Sequence, residues 1–230
     1  VLKLDATRFI SDMKALPSTV RKATAYALTD TARDVHAASK ARMSEAFDRP
    51  TRYTLNSLMT RFARANDATP TATVEQKPSS GNRHYLAIQE QGGQRPQTGV
   101  ERLLSSLLRG SSRGGVVPSR HARLDGSGNW ARGERSATLE ALKRNRGAST
   151  GSQGRLDVFA VTGKTTKLSK GIWRRNPDRS VEKVASLLDR TPRYRALLGL
   201  YAAAERTFAA RFPDRFARVL DRLRSGGGGS

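Results

Sequence analysis

Phe47-Asp48-Arg49-Pro50-Thr51-Arg52-Tyr53-Thr54-Leu55-Asn56-Ser57-Leu58 closes one long helical pattern and opens everything that follows it. Upstream, Pro17 and Ser18 supply helix-start chemistry. Small or apolar residues then recur at Val20, Ala23, Ala27, Leu28, Val35, Ala38 and Met43. The spacing predicts a helix of roughly 30 residues, about 45 Å long at ~1.5 Å per residue, able to lie across a sheet or a subunit contact. Its Ala-rich stripe lets a partner backbone approach closely but buries little area per residue, so the helix needs tertiary or quaternary support. Pro50 stops it, because proline has no N–H to donate and pushes Arg49 out of the right-handed α region. Asp48 and Arg49 set the helix exit, and Asn56 sets the start of a hairpin.

Ahead of the long helix, Leu2, Leu4, Phe9, Ile10, Met13 and Leu16 read as an extended lead with one or two helical turns packed under it. Residues 57–65, with Leu58 and Phe62 on one parity, and residues 71–77 flank an Asn66-Asp67 turn signal and predict a hairpin. Residues 84–90, with Leu86 and Ile88 sharing a face, predict a third strand, closed by a turn at Gly92 and Gly93. Val100, Leu103, Leu104, Leu107 and Leu108 mark an amphipathic helix over 99–109. From Gly110 to Arg155 the chain turns Gly-, Ser- and Arg-rich, with one helix predicted at 136–144 and a mobile loop at 145–155.

Three apolar runs at 156–161, 171–175 and 181–188 predict an antiparallel meander. Pro192 opens a final helix carrying Tyr194, Leu197, Leu198, Tyr201 and Phe208. Phe212-Pro213 is expected to kink or restart it before Phe216, Val219, Leu220 and Leu223 continue the face. Gly226 to Ser230 reads as a flexible linker. The expected class is α+β: an antiparallel sheet packed by a long N-terminal and a long C-terminal helix, with a basic Gly/Ser-rich middle excursion. The expected regions are 1–109, 110–155 and 156–224 within one structural domain, followed by a tail at 225–230. Two subdomains split near Gly110 are the alternative.

The 230 residues carry 42 Lys or Arg against 20 Asp or Glu, a formal charge of +22. Such an excess repels itself in a compact monomer and points to a polyanionic partner. It is concentrated: between Arg102 and Arg179 there are seventeen basic residues and five acidic ones. The chain has no cysteine, which excludes disulfides and thiolate metal sites. No apolar run approaches ~18 residues and no signal-peptide layout opens the chain, so the expectation is a soluble protein made in the cytoplasm, without a membrane partner.

Chemical motifs are weak. Residues 158–165 end in the Gly163-Lys164-Thr165 of a phosphate loop, but Val158 stands where its first glycine belongs. The run from Gly126 to Ala131 matches a loose dinucleotide fingerprint with no hydrophobic strand before it. His36, His84 and His121 lie apart with no ligand partner at i+2 to i+4. Glu90, Glu101 and Asp125 could serve a metal-dependent nuclease, yet their spacing is that of ordinary surface or turn residues. The expectation is a protein with no catalytic residues, no metal and no cofactor. Tyr53, Tyr85, Trp130 and Trp173 could stack on bases; Trp173, inside a strand, reads as core, and Trp130, in a Gly-rich loop, as the better contact residue. The residues expected to meet phosphate or an acidic partner are Arg113, Arg120, Arg123, Arg132, Arg135, Lys143, Arg144, Arg146, Lys164, Lys167 and Lys170. With no sequence-reading signature among them, the contact is expected to be sequence-independent.

Several ordered blocks resemble the minor tail protein Z family of long-tailed bacteriophages and prophages. They are Phe47 to Thr51 with Thr54 to Leu58, His84-Tyr85-Leu86 with Gly92, Gly93 and Arg95, and Leu124-Asp125-Gly126 with Gly128-Asn129. Gly171-Ile172-Trp173-Arg174 and Tyr194-Arg195 leading into an Ala-rich helix complete the order, which spans about residues 5–224. The sequence departs from that pattern in its 145–155 loop and terminal glycine run. The resemblance implies a virion protein of the tail or neck, a tail-completion subunit acting at the head-proximal end during assembly in the host cytoplasm. It also implies a homo-oligomeric, sixfold ring whose neighbours are the tail terminator, the tail tube and the head-tail connector. Viral double-stranded DNA would pass through it, and a basic lumen meets the charge argument at that point. A freestanding, sequence-independent nucleic-acid-binding protein is the alternative.

Overall fold

Alanine loses no side-chain entropy on becoming helical, and the Ala-rich stretch Ser18–Ala46 forms one 29-residue helix, α1. The structure, a computed structural model, describes residues 18–78, 85–108, 114–145, 157–163 and 167–225. The expectations for the 1–16 lead, for most of the 145–155 loop and for the terminal glycines fall outside those residues. The fold is α+β, and it divides into one unit of residues 1–90 with 196–230 and a second of residues 91–195.

In the first unit, α1 ends at Ala46, four residues ahead of Pro50, and Arg49 adopts φ +48°. The exit thus lies in a left-handed residue just before the proline. Thr51 then caps a single helical turn, α2 (Arg52–Leu55), its hydroxyl accepting from the Thr54 N–H at 3.1 Å. The expected hairpin follows as β1 (Leu58–Arg61) and β2 (Thr73–Gln76), antiparallel with Leu58 opposite Gln76. Residues 84–90 do not form the expected strand: Tyr85–Gln91 is a helix, α3. Only Leu86 of the alternating pair is buried. The helical turn brings the Gln89 carbonyl to the N–H groups of Leu197 and Leu198, at 2.9 and 3.0 Å.

The last helix, α6 (Leu200–Ser225), is the C-terminal partner of α1 and packs along it. It begins later than Pro192 predicts, after Gly199 at φ +62°. Glu90 caps it, accepting from the N–H groups of Leu200 and Tyr201 at 2.8 and 3.1 Å. The helix continues through Pro213 without restarting. Arg42 donates to the carbonyls of Leu197 and Leu198, and Arg215 grips Asp34 at 2.8 and 2.9 Å, so α1 and α6 run antiparallel. Met43, Leu58, Val74, Leu86, Leu198, Leu200 and Ala204 form the core of this unit.

In the second unit, Gly92 and Gly93 take φ +75° and +111° and turn the chain into β3 (Gly93–Gln94), which pairs with β8 (Arg193–Tyr194). This pairing takes Tyr194 away from the final helix, where periodicity alone had put it. After α4 (Gly99–Leu107) the Gly-rich stretch supplies a strand that the sequence does not announce, β4 (Val116–Pro118). A Cβ at Gly114 would lie 2.3 Å from the Leu188 carbonyl, so only glycine lets the chain enter there. Then come α5 (Arg132–Arg144), one turn longer than expected, and β5 (Val158–Val161), β6 (Gly171–Arg175) and β7 (Val181–Leu187).

The sheet is antiparallel in the order β4-β7-β6-β5. Leu104 of α4 and Leu139 and Leu142 of α5 close its core over Ile172, Val184, Ala185 and Leu187. The described residues 114–145 of the Gly/Ser-rich stretch supply β4 and α5 to the sheet unit. The chain divides at Gln91 and Ala196 rather than near Gly110. The long helices pack with the β1–β2 hairpin, and the four-stranded sheet is covered by α4 and α5.

Candidate polyanion interface

The cations of the second unit stand on a frame built by its turns. Ser119 donates its N–H to the Val184 carbonyl at 2.9 Å and its hydroxyl to the Lys183 carbonyl, which pins the end of β4 to β7. Arg120 and His121 lie exposed in the turn that follows, Arg120 Nε donating to His121 Nε2 at 2.9 Å. Leu124 and Trp130 bridge across a tight loop, inside which Asp125 Oδ1 accepts from the N–H groups of Ser127 and Asn129, both at 2.9 Å. The Asn129 amide first, with Ser127 and Arg135 adding to it, holds the Asp125 carboxyl below its usual range. This is the turn chemistry behind Leu124-Asp125-Gly126 and Gly128-Asn129, and Gly128 takes φ +78° in it.

Trp130 is not a contact residue. It is 7% exposed, and its Nε1 donates to Glu134 Oε2 at 2.9 Å. Glu134 also accepts from the Arg123 N–H and from Arg174, at 2.7 Å each, while Arg174 reaches Glu182 at 3.0 Å. Burial pushes the Glu134 carboxyl up, and these donors outweigh it and bring it down. Trp173 is the more accessible of the two indoles: Lys183 Nζ lies 5.9 Å from its ring centre and its Nε1 donates to the Ser169 carbonyl. Sequence reasoning reversed this pair because a Gly-rich loop hid the bridge that turns Trp130 inward.

Of the basic residues expected to act together, Arg113, Arg146 and Lys164 lie outside the described residues. Arg120, Arg123, Arg132, Arg144 and Lys167 are exposed, with no ion pair to a carboxylate among the described residues. Lys143 is tied to Glu140 at 2.7 Å, and Lys170 to Asp189. Arg135 is half-buried beside Asp125. The set thus separates into five exposed cations and three partly or wholly compensated ones.

At the junction, Asp48 pairs with Arg49 at 3.2 Å in the open, and Asn56 ends α2 while receiving Lys40 Nζ at 3.5 Å. The three carboxylates considered for catalysis have backbone duties: Glu90 caps α6, Asp125 organises its loop and Glu101 closes a capping box with Thr98. No group of three or more metal-ligating side chains occurs among the described residues. Burial, then Lys40 and Lys77, hold His36 below the usual imidazole value. Compared with family models, with curated proteins and with solved structures, the chain matches none.

Proposed function

We propose that the protein is a non-enzymatic structural protein of a tailed-phage virion, a tail-completion or neck subunit. In this reading six copies form a ring at the head-proximal end of the tail and join it to the head connector. The tail terminator and tail tube are its neighbours, and basic surfaces face double-stranded DNA or an acidic adjoining ring. The reading rests on the ordered sequence blocks. The observation that supports it structurally is the exposed set Arg120, Arg123, Arg132, Arg144 and Lys167 on one unit, which pairs with no carboxylate among the described residues. Few contacts per subunit bind DNA weakly, and a ring multiplies them around one duplex.

Charge reversal of Arg144, Arg146 and Lys167 together tests it. The expected result is a shallower salt dependence of DNA binding, from a slope of about −0.9 per phosphate neutralised, and poor DNA retention in particles with tail attachment intact. Lost tail attachment with DNA affinity unchanged would assign the surface to an acidic protein neighbour. A monomer in light scattering that binds DNA and ignores tail proteins would favour the freestanding nucleic-acid-binding protein.

A further inference from the structure

The first unit carries a second group of cations. Lys40 stands on α1, Arg52 opens α2 and Lys77 follows β2. Arg52 and Lys77 line one pocket of about 300 Å³ together with Tyr53, Asn56 and Gln76, and Lys40 reaches its rim through Asn56. Its walls are held by one backbone and one side-chain bond: the Lys77 N–H donates to the Ser57 carbonyl at 2.7 Å, and the Ser57 hydroxyl to the Thr54 carbonyl at 2.6 Å. The volume is at the lower end for small-molecule sites, roughly 300–1,000 Å³.

Among the described residues the charge in this pocket is uncompensated: no carboxylate lines it, and Lys40, Arg52 and Lys77 form no ion pair. The acids adjoining these elements in sequence are paired elsewhere, Glu75 to Arg61 and Asp48 to Arg49. Cations left together in a concavity lower the cost of bringing in an anion. Tyr53 adds a second element, because the residue is 57% exposed and lines the pocket wall. A flat apolar ring beside two cations suits a base and its phosphates. An acidic peptide would use the charges and leave the ring idle, and a duplex keeps its bases stacked out of the ring's reach.

We infer that this pocket binds a nucleotide of single-stranded nucleic acid, with phosphate held by Arg52 and Lys77 and an unpaired base against Tyr53. The site needs no ring and lies in the other unit from the exposed cations of the second, so it stands or falls apart from the proposed function.

Fluorescence anisotropy on the full chain tests it with three probes: a short labelled oligothymidine, a duplex of equal length and polyglutamate. Tyr53→Ala is expected to weaken oligothymidine binding about fivefold or more and to leave the duplex unchanged. Arg52→Gln with Lys77→Gln is expected to lower the log–log salt slope for oligothymidine by about 1.4, at ~0.7 per phosphate. Equal melting temperatures check that these exposed substitutions leave the fold intact. Unchanged oligothymidine affinity in Tyr53→Ala overturns the inference, as does a double variant that loses polyglutamate while keeping its oligothymidine slope. Charge reversal of Arg144, Arg146 and Lys167, run in parallel, changes duplex binding by itself if only the proposed function holds.

Discussion

Arg95 grips Glu101 through two parallel hydrogen bonds of 2.6 Å, Nη1 to Oε2 and Nη2 to Oε1. The Glu101 side chain is 4% exposed and Arg95 20%. The same carboxylate accepts from the Thr98 N–H at 2.7 Å and the Val116 N–H at 3.0 Å, so one side chain joins the start of α4 to the edge strand β4. Arg95 follows the Gly92-Gly93 turn in the chain, and joining that turn to the start of α4 is what it does in the fold.

Glu101→Gln should therefore cost about 3 kcal/mol, since it leaves a guanidinium without its counter-charge in a mostly desolvated place. Urea unfolding would measure it, and a loss below about 1 kcal/mol would mean that solvent reaches Arg95 in the variant.

The same carboxylate makes the fold acid-sensitive in a defined window. Burial raises it, but Arg95, Thr98 and Val116 outweigh burial and bring it from 4.5 down to about 2. A carboxyl depressed on folding contributes stability that is fully present above its unfolded value and lost as pH falls toward the folded one. Wild-type stability should fall between about pH 4.5 and 2. Glu101→Gln should show a smaller fall, read from urea midpoints across that range.

Trp130→Ala should destabilise by about 3–5 kcal/mol, the range for deleting a buried aromatic side chain. Trp130→Phe keeps an aromatic ring in the core but loses part of the indole volume and the bond to Glu134, and it should lose less than Ala while binding duplex DNA like wild type. Reduced DNA affinity in a folded Trp130→Phe would return this indole to the contact surface.

At the helix exit, Arg49→Gly should stabilise by about 0.5–1 kcal/mol, because glycine takes φ +48° without a Cβ penalty. Pro50→Ala should act the other way. It frees residue 49 to return to right-handed helix, lengthens α1 and draws the hairpin out of place. Circular dichroism and thermal melting would check both, and a wild-type melt in Pro50→Ala would count against the argument.

Lys77→Gln should raise the His36 titration toward the usual imidazole value, since Lys77 is one of two cations that depress it after burial. Imidazole resonances followed against pH report the shift directly, and no change would place Lys77 too far away to matter.

The long helices, the hairpin, α4 and the three-strand meander were legible from the chain alone, because each rests on a repeating pattern or on turn residues close in sequence. Pro50, Asn66-Asp67, Gly92 and Gly93 are signals of that local kind. The surplus of exposed cations was legible for the same reason, as composition needs no partner. What tertiary structure decided was every choice that depended on a residue far along the chain. Residues 85–91 became a helix because Leu86 alone had a core to enter and Gln89 and Glu90 had the distant start of α6 to cap. Val116 became a strand only beside Leu187, and Tyr194 left the final helix for Gly93. Lys170 found Asp189 where, among the described residues, Lys167 found no carboxylate, and Arg52 and Lys77 came to line one pocket. Short apolar runs and isolated charges are ambiguous by themselves, since their free energy comes from contacts that form only when remote segments meet.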